Sequence, residues 1–127
     1  MTQALLVFVG GGLGAVVRYA LTLAATRAFG ANFPWGTFGI NIAGSLAMGI
    51  VTGLFFARGA PAEWENTRLF LTTGILGGFT TFSAFSLDTI ILWERGALGA
   101  LAFYVFGSVA LAIAALFAGY SLTRIWA

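Results

Sequence analysis

Four long apolar runs, separated by three short polar breaks, make up the hydrophobic pattern of the chain. The runs cover residues 3–25, 35–57, 69–93 and 98–122. Each has the roughly 20 mostly apolar residues that a helix needs to cross a bilayer, and little of the chain is left over for a water-soluble domain. The pattern predicts an all-α integral membrane protein in which residues 1–127 form one domain of four transmembrane helices.

The third run has an unusual centre. Gly77 and Gly78 are adjacent there, and the residues that follow, up to Ser86, mix hydroxyl side chains with phenylalanines. Non-helical backbone persists at membrane depth only where it is buried in protein or lines a cavity. Broken transmembrane helices often hold ions on the carbonyls that they free. We therefore predict that the third helix is broken near its centre and that the break has a function.

Small residues also recur at a spacing of four within the spans. The pairs are Gly10 and Gly14, Gly49 and Gly53, and Gly74 and Gly78. Such small-xxx-small pairs let two helix backbones approach closely. We expect most of the glycines in the spans to serve helix packing alone.

The composition agrees with a lipid environment and excludes most enzymes. Only 8% of the residues are charged and 60% are hydrophobic, against about 25% and 45–50% in soluble domains. The chain has no cysteine and no histidine, which removes thiolate chemistry, haem ligation and the commonest general base. No basic tract indicates a nucleic-acid partner. We predict a multi-pass membrane protein that contacts lipid and is not an enzyme.

The six arginines do not indicate which end of the helices faces the cytoplasm. Arg58, Arg68 and Arg124 lie at the end that holds both termini, and Arg18, Arg27 and Arg95 lie at or near the other end. Cytoplasmic flanks normally carry the excess of Lys and Arg. One interpretation is a single orientation that something other than charge fixes. The interpretation that we favour is insertion in both orientations, which lets two copies pair as an antiparallel, dual-topology homodimer.

Asn41 is the outstanding polar residue of the second run, well away from both of its ends. A buried amide without partners costs several kcal/mol, by the usual estimate of about 2–7, so this side chain must find hydrogen-bond partners. One interpretation is that it joins two helices. The other is that its NH₂ group donates to an anion, and the spacing alone favours neither.

Phe82 and Phe85 are three residues apart and share a helix face. Packing or lipid contact is the common fate of such residues. The alternative uses the ring quadrupole, whose positive edge attracts a small anion without holding it tightly. Hydroxyl groups of Thr80, Ser83 and Ser86 would supply donors beside them.

Polar side chains also occur in the fourth run and at the end of the third. Tyr104 and Ser108 are four apart and face one way, so they form either packing contacts or a hydrogen-bonding track. Asp88 and Glu94 lie towards the end of the third run. Carboxylates within a membrane span are candidates for function by default, although Asp88 could simply pair with an arginine near the mouth of a pore.

Three sequence blocks together resemble the Fluc family of fluoride channels, also called CrcB. They are Gly11–Tyr19 in the first run, Gly36–Ser45 in the second and Gly77–Ser86 in the third. Each block is weakly specific, but all three occur in order in a short chain, and the resemblance covers nearly all of it.

The resemblance implies an antiparallel dimer with two pores through which microbes expel cytoplasmic fluoride. The residues that it places in or beside the pore are Asn41, Thr81, Phe82, Ser83, Phe85, Tyr104 and Ser108. It implies a structural Na⁺ at the dimer centre, held by backbone carbonyls that we assign to Gly77 and Thr80. Arg18 matches the first-span arginine of the family near an aqueous vestibule, where we also place Asp88.

Other functions fit the sequence less well. A small dual-topology multidrug transporter has the same size and span number, but it needs a carboxylate in the first span, where this chain has Arg18. A membrane anchor of a redox enzyme would use histidine to bind haem, and the chain has none. A structural scaffold remains open.

Overall fold

The computed structural model describes residues 1–126, apart from the side chain of Trp126, and the described chain is almost entirely helical. Helices α1, α2 and α6 are uninterrupted and cover Thr2–Phe29, Trp35–Ala57 and Leu98–Trp126. A third span, Ala62–Glu94, consists of several helical pieces. All four are long and apolar enough to cross a membrane, which confirms the predicted all-helical, four-span architecture.

The helix ends differ from the predicted bounds by a few residues. Helix α1 continues into the predicted break at residues 26–34 as far as Phe29. It ends at Gly30, whose φ of 83° is in the left-handed region that favours glycine. The third span starts early, with a 3₁₀ turn at Ala62–Trp64. Polar residues that we had assigned to loops therefore extend the helices beyond their apolar parts.

The third span is broken, as the sequence predicted. It continues from the 3₁₀ turn through α3 (Glu65–Leu69), a π-helical segment (Phe70–Leu76) and the short helix α4 (Gly77–Phe79). Thr80 and Thr81 are extended, and α5 (Phe82–Glu94) then completes the span. The adjacent glycines are thus still helical, and the break lies just after them. The π-helical segment was not predicted.

Glycines bring two pairs of helices into close contact. Gly10 of α1 faces Gly74 in the third span, and Gly78 faces the backbone of Gly11. A Cβ added at Gly14 would clash with the Ile75 carbonyl. Gly49 and Gly53 of α2 face α6 in the same way. The glycine pairs therefore serve helix packing, as predicted.

The loops that connect the helices lie at the two ends of the molecule. At the end opposite the termini, Nη1 of Arg95 donates to the Ala31 carbonyl oxygen at 2.9 Å. This bond joins the loop after α5 to the loop after α1.

Replacing Gly14 by Ala is expected to destabilise the protein, whereas replacing Gly12 by Ala is not. A Cβ at Gly14 meets backbone atoms that cannot rotate away, and a Cβ at Gly12 has nothing within 4 Å. Overpacking of this kind typically costs about 1–3 kcal/mol. Thermal unfolding in detergent measures the difference, and equal melting temperatures for the two variants would contradict the packing that we describe.

Candidate functional site

A cavity of about 420 Å³ lies between α2, the break in the third span and α6. Among its lining residues are the polar Asn41, Ser45, Thr80, Thr81 and Ser108 and the aromatic Phe82 and Phe85. Five of the seven pore residues predicted from the sequence therefore line one cavity. The two that do not are Ser83 and Tyr104. We refer to this space as the first cavity.

Asn41 holds the break in place through two hydrogen bonds. Its Nδ2 donates to the Thr81 carbonyl oxygen at 3.0 Å, and its Oδ1 accepts the Thr81 backbone N–H at 2.9 Å. The amide thus satisfies both backbone groups of one extended residue. Because Nδ2 carries two hydrogens, one N–H donor of Asn41 is left over, so joining helices and donating to an anion are compatible roles.

The hydroxyl groups around the break serve mainly the local backbone. Thr81 Oγ1 caps α5 by accepting the Ala84 N–H at 3.2 Å. It also forms a hydrogen bond with Ser83 Oγ at 3.3 Å, in which either hydroxyl can be the donor. Thr80 and Ser86 each donate to the carbonyl four residues earlier. Thr80 and Ser86 therefore use their hydroxyl hydrogens on nearby carbonyls, whereas the predicted donor role of Ser83 stays a prediction.

Two backbone carbonyls at the break lose the donors that a continuous helix would give them. In an α-helix the Gly77 carbonyl would accept the N–H of Thr81, but that N–H donates to Asn41. The Thr80 carbonyl would accept the N–H of Ala84, which instead donates to the Thr81 side chain. These are the carbonyls that we assigned to a cation from the sequence, and such hard oxygen atoms fit a Na⁺ ion.

Arg18 binds the short helix that precedes the break. Its Nε donates to the Gly78 carbonyl oxygen at 3.1 Å, and its side chain is half-buried. The positive charge lies at the C-terminal end of helical residues, where it is favourable. Arg18 lines neither the first cavity nor the two others described below, so its expected place in a vestibule stays a prediction.

Phe82 and Phe85 differ in their surroundings. Phe85 is 8% exposed, and its ring centroid lies 5.1 Å from that of Tyr104 and 5.4 Å from that of Phe82. Phe82 is 76% exposed. Both rings line the first cavity, but only Phe85 is also part of the packed core.

Tyr104 donates to a carboxylate and does not face the first cavity. It is fully buried, and its hydroxyl donates to Asp88 Oδ2 at 2.9 Å. Asp88 lines a cavity of about 240 Å³ near the loops after α1 and α5, together with Thr22, Thr37 and Arg95. Within the described chain, the Asp88 carboxylate therefore pairs with a tyrosine and with no arginine.

Ser108 lies one turn after Tyr104 and does line the first cavity. It is buried, and its Oγ has no hydrogen-bond partner among residues 1–125. A buried hydroxyl without a partner costs about 1–3 kcal/mol. Ser108 thus places beside the first cavity a buried hydroxyl whose proton has no acceptor among residues 1–125.

Sequence reasoning missed several lining residues of α2. Gly44, Ser45 and Met48 line the first cavity with Asn41. They follow Asn41 at spacings of three, four and seven, which places them on the same helix face. That periodicity was available in the sequence and would have identified them.

Comparison with known proteins identifies relatives over nearly the whole chain. Residues 5–120 match the family model described as CrcB-like protein, Camphor Resistance (CrcB). A protein of Nitrobacter hamburgensis named "Fluoride-specific ion channel FluC 2" is 58% identical over 121 residues, which cover 94% of this chain and 95% of the relative.

Two further relatives carry the name "Fluoride-specific ion channel FluC". One, from Rhodopseudomonas palustris, is 58% identical over 120 residues, covering 94% of this chain and 95% of the relative. The other, from Methylobacterium nodulans, is 58% identical over 125 residues, covering 98% of both chains.

Proposed function

The chain belongs to the CrcB-like family, whose relatives are named fluoride-specific ion channels, and we propose that it exports cytoplasmic fluoride through two pores of an antiparallel homodimer. The family is one of channels and not of enzymes. Membership favours this function over that of a small multidrug-type transporter. We place the protein in the plasma membrane, which is the inner membrane of a bacterial cell.

The observation that carries the proposal is the set of weak donors around the first cavity. Fluoride is small and strongly hydrated, so a narrow pore must replace its water with donors. A conducting site must also release the ion readily. The left-over N–H of Asn41, the unpaired hydroxyl of Ser108 and the ring edges of Phe82 and Phe85 meet both requirements, since none of them carries a full charge.

Fluoride efflux from liposomes tests the function. Purified protein in liposomes loaded with fluoride should release it, as recorded with a fluoride electrode, whether or not a proton gradient is imposed. Protein-free liposomes are the control. Efflux that requires a proton gradient would indicate a coupled exchanger, and the absence of fluoride efflux would contradict the proposed function.

The exposed polar groups of the third span support a homodimer. Gly77, Ser83 and Ser86 are exposed in the single chain, although they lie in a segment long and apolar enough to cross the membrane. Polar backbone and hydroxyl groups cannot face lipid tails at this depth without cost. A second copy that covers this face in the opposite orientation would shield them, and the balanced arginines permit that orientation.

Added positive charge is expected to prevent the homodimer by fixing one orientation. The variant Ala62→Lys with Asn66→Lys should hold the termini in the cytoplasm, and Ala28→Lys with Ala31→Lys should hold them outside. Each variant alone should lose fluoride flux, and co-expression of both should restore it.

All four substituted positions are exposed, so the lysines should not disturb packing. Liposome flux and size-exclusion chromatography are the measurements. Normal flux from either variant expressed alone would refute the antiparallel dimer.

We assign a structural Na⁺ to the centre of this dimer. The carbonyls of Gly77 and Thr80 from two oppositely oriented chains would give four oxygen ligands around the two-fold axis. A ligand that binds only the folded dimer stabilises it. Exchanging Na⁺ for N-methylglucamine is therefore expected to lower the melting temperature of the dimer, and an unchanged melting temperature would argue against the site.

A further inference from the structure

A second cavity, of about 580 Å³, lies beside the first, between the later part of α2 and the π-helical segment. It extends from Arg68, near the start of the third span, to Gly77, just before the break. At the helical rise of 1.5 Å per residue, the nine steps from Arg68 to Gly77 span about 14 Å. The second cavity therefore leads from the end of the molecule that holds the termini towards its middle.

Among the described residues, Met48 is the one that lines both cavities. Along α2 it lies seven positions after Asn41 on the same face, about two turns away. On the assumption that the protein conducts fluoride, we propose that the ion reaches Asn41 through the second cavity and that the Met48 side chain is the movable partition between the two cavities.

The chemistry of methionine suits a partition that opens. Its side chain is unbranched, with three rotatable bonds and an apolar, polarisable thioether. It can leave the path by changing rotamer, without movement of the backbone. When closed it presents no donor and no charge to the ion, so it blocks passage without binding fluoride.

Arg68 supplies the charge at the outer part of the second cavity. Its Nη2 and Nε donate to both carboxylate oxygens of Glu65, at 2.8 and 3.3 Å. The two side chains are 40% and 48% exposed, and exposed pairs contribute only about 0–1 kcal/mol. Arg68 is therefore the cationic group of the second cavity, and the carboxylate of Glu65 offsets much of its charge.

Cysteine labelling tests the route without depending on fluoride flux. The natural chain has no cysteine, so Met48→Cys and Thr73→Cys each create a single reactive site that faces the second cavity. Both should react from the aqueous phase with small charged thiosulfonates, as measured by the mass of the intact protein. In a Glu65→Gln background, which removes the carboxylate partner of Arg68, the anionic reagent should react about tenfold faster than the cationic one, because the guanidinium concentrates anions. Adding Arg68→Gln should remove that preference.

Leu46→Cys is the matched control. Leu46 lies on α2 two residues before Met48, is 38% exposed and lines neither cavity. It should face lipid or protein and remain unlabelled. Labelling of Thr73→Cys without labelling of Met48→Cys would show that the second cavity is closed at its inner end and would overturn the proposal.

Flux measurements on the labelled proteins complete the test. Fluoride efflux should fall after Met48→Cys is modified, and fall further with a larger reagent. Thr52 lines the second cavity one turn from Met48, so labelled Thr52→Cys should also lose flux. This second variant tests the route if Met48→Cys fails to assemble. Unchanged flux after complete labelling would overturn this route, whereas unmodified wild-type protein without flux would instead contradict the proposed function.

Discussion

Replacing Asn41 by Asp is expected to abolish fluoride flux. An ionised carboxylate would repel fluoride, and two unit charges 4 Å apart near a protein surface repel each other by about 4 kcal/mol, nearly a thousandfold in occupancy. A protonated carboxyl fails for a different reason. Its single hydrogen would replace the donor to the Thr81 carbonyl, so no hydrogen would be left for the ion.

Two further variants separate the roles of Asn41. Asn41→Ala removes both bonds to Thr81 and should lower the melting temperature as well as flux, because the Thr81 N–H and carbonyl lose their partners. Asn66→Asp makes the same chemical change at an exposed position outside the cavities and should leave flux unchanged. Efflux from Asn41→Asp at the wild-type rate would exclude Asn41 as an ion ligand.

The number of spans was predictable because it depends on length and hydropathy alone. The existence of the break was also predictable, since two glycines followed by hydroxyl residues weaken a helix locally. The contact that holds it was not. Asn41, forty residues earlier in the chain, bonds both backbone groups of Thr81, and no local pattern indicates this tertiary contact.

Side-chain partners were the least predictable part of the site. The sequence placed Tyr104 and Ser108 on one face, which is correct in spacing, but their hydroxyls have different surroundings. The Tyr104 hydroxyl on α6 donates to Asp88 on α5, and the Ser108 hydroxyl has no hydrogen-bond partner among residues 1–125. Periodicity gives the face on which a residue lies, whereas the choice of partner depends on how α5 and α6 pack.

Replacing Phe85 by Ile, or Phe82 by Ile, is expected to reduce fluoride flux sharply, with different effects on stability. Isoleucine keeps a bulky apolar side chain but has no ring edge to attract an anion. Phe85 is buried against Tyr104, so Phe85→Ile should also lower the melting temperature, by the equivalent of about 1–3 kcal/mol for a truncated core residue. Phe82 is 76% exposed in the single chain, so Phe82→Ile should lose flux with little loss of stability.

Phe106→Ile provides the matched control for this pair. Phe106 is 74% exposed on α6 and lines none of the three cavities, so its replacement should change neither flux nor melting temperature. Dimer assembly is followed by size-exclusion chromatography and flux with a fluoride electrode. If the aromatic edges attract the ion, Phe82→Ile should lower flux but not the melting temperature, and Phe85→Ile should lower both. Wild-type flux in both variants would show that the rings only pack, and Asn41 and Ser108 would then be the remaining donors to the ion.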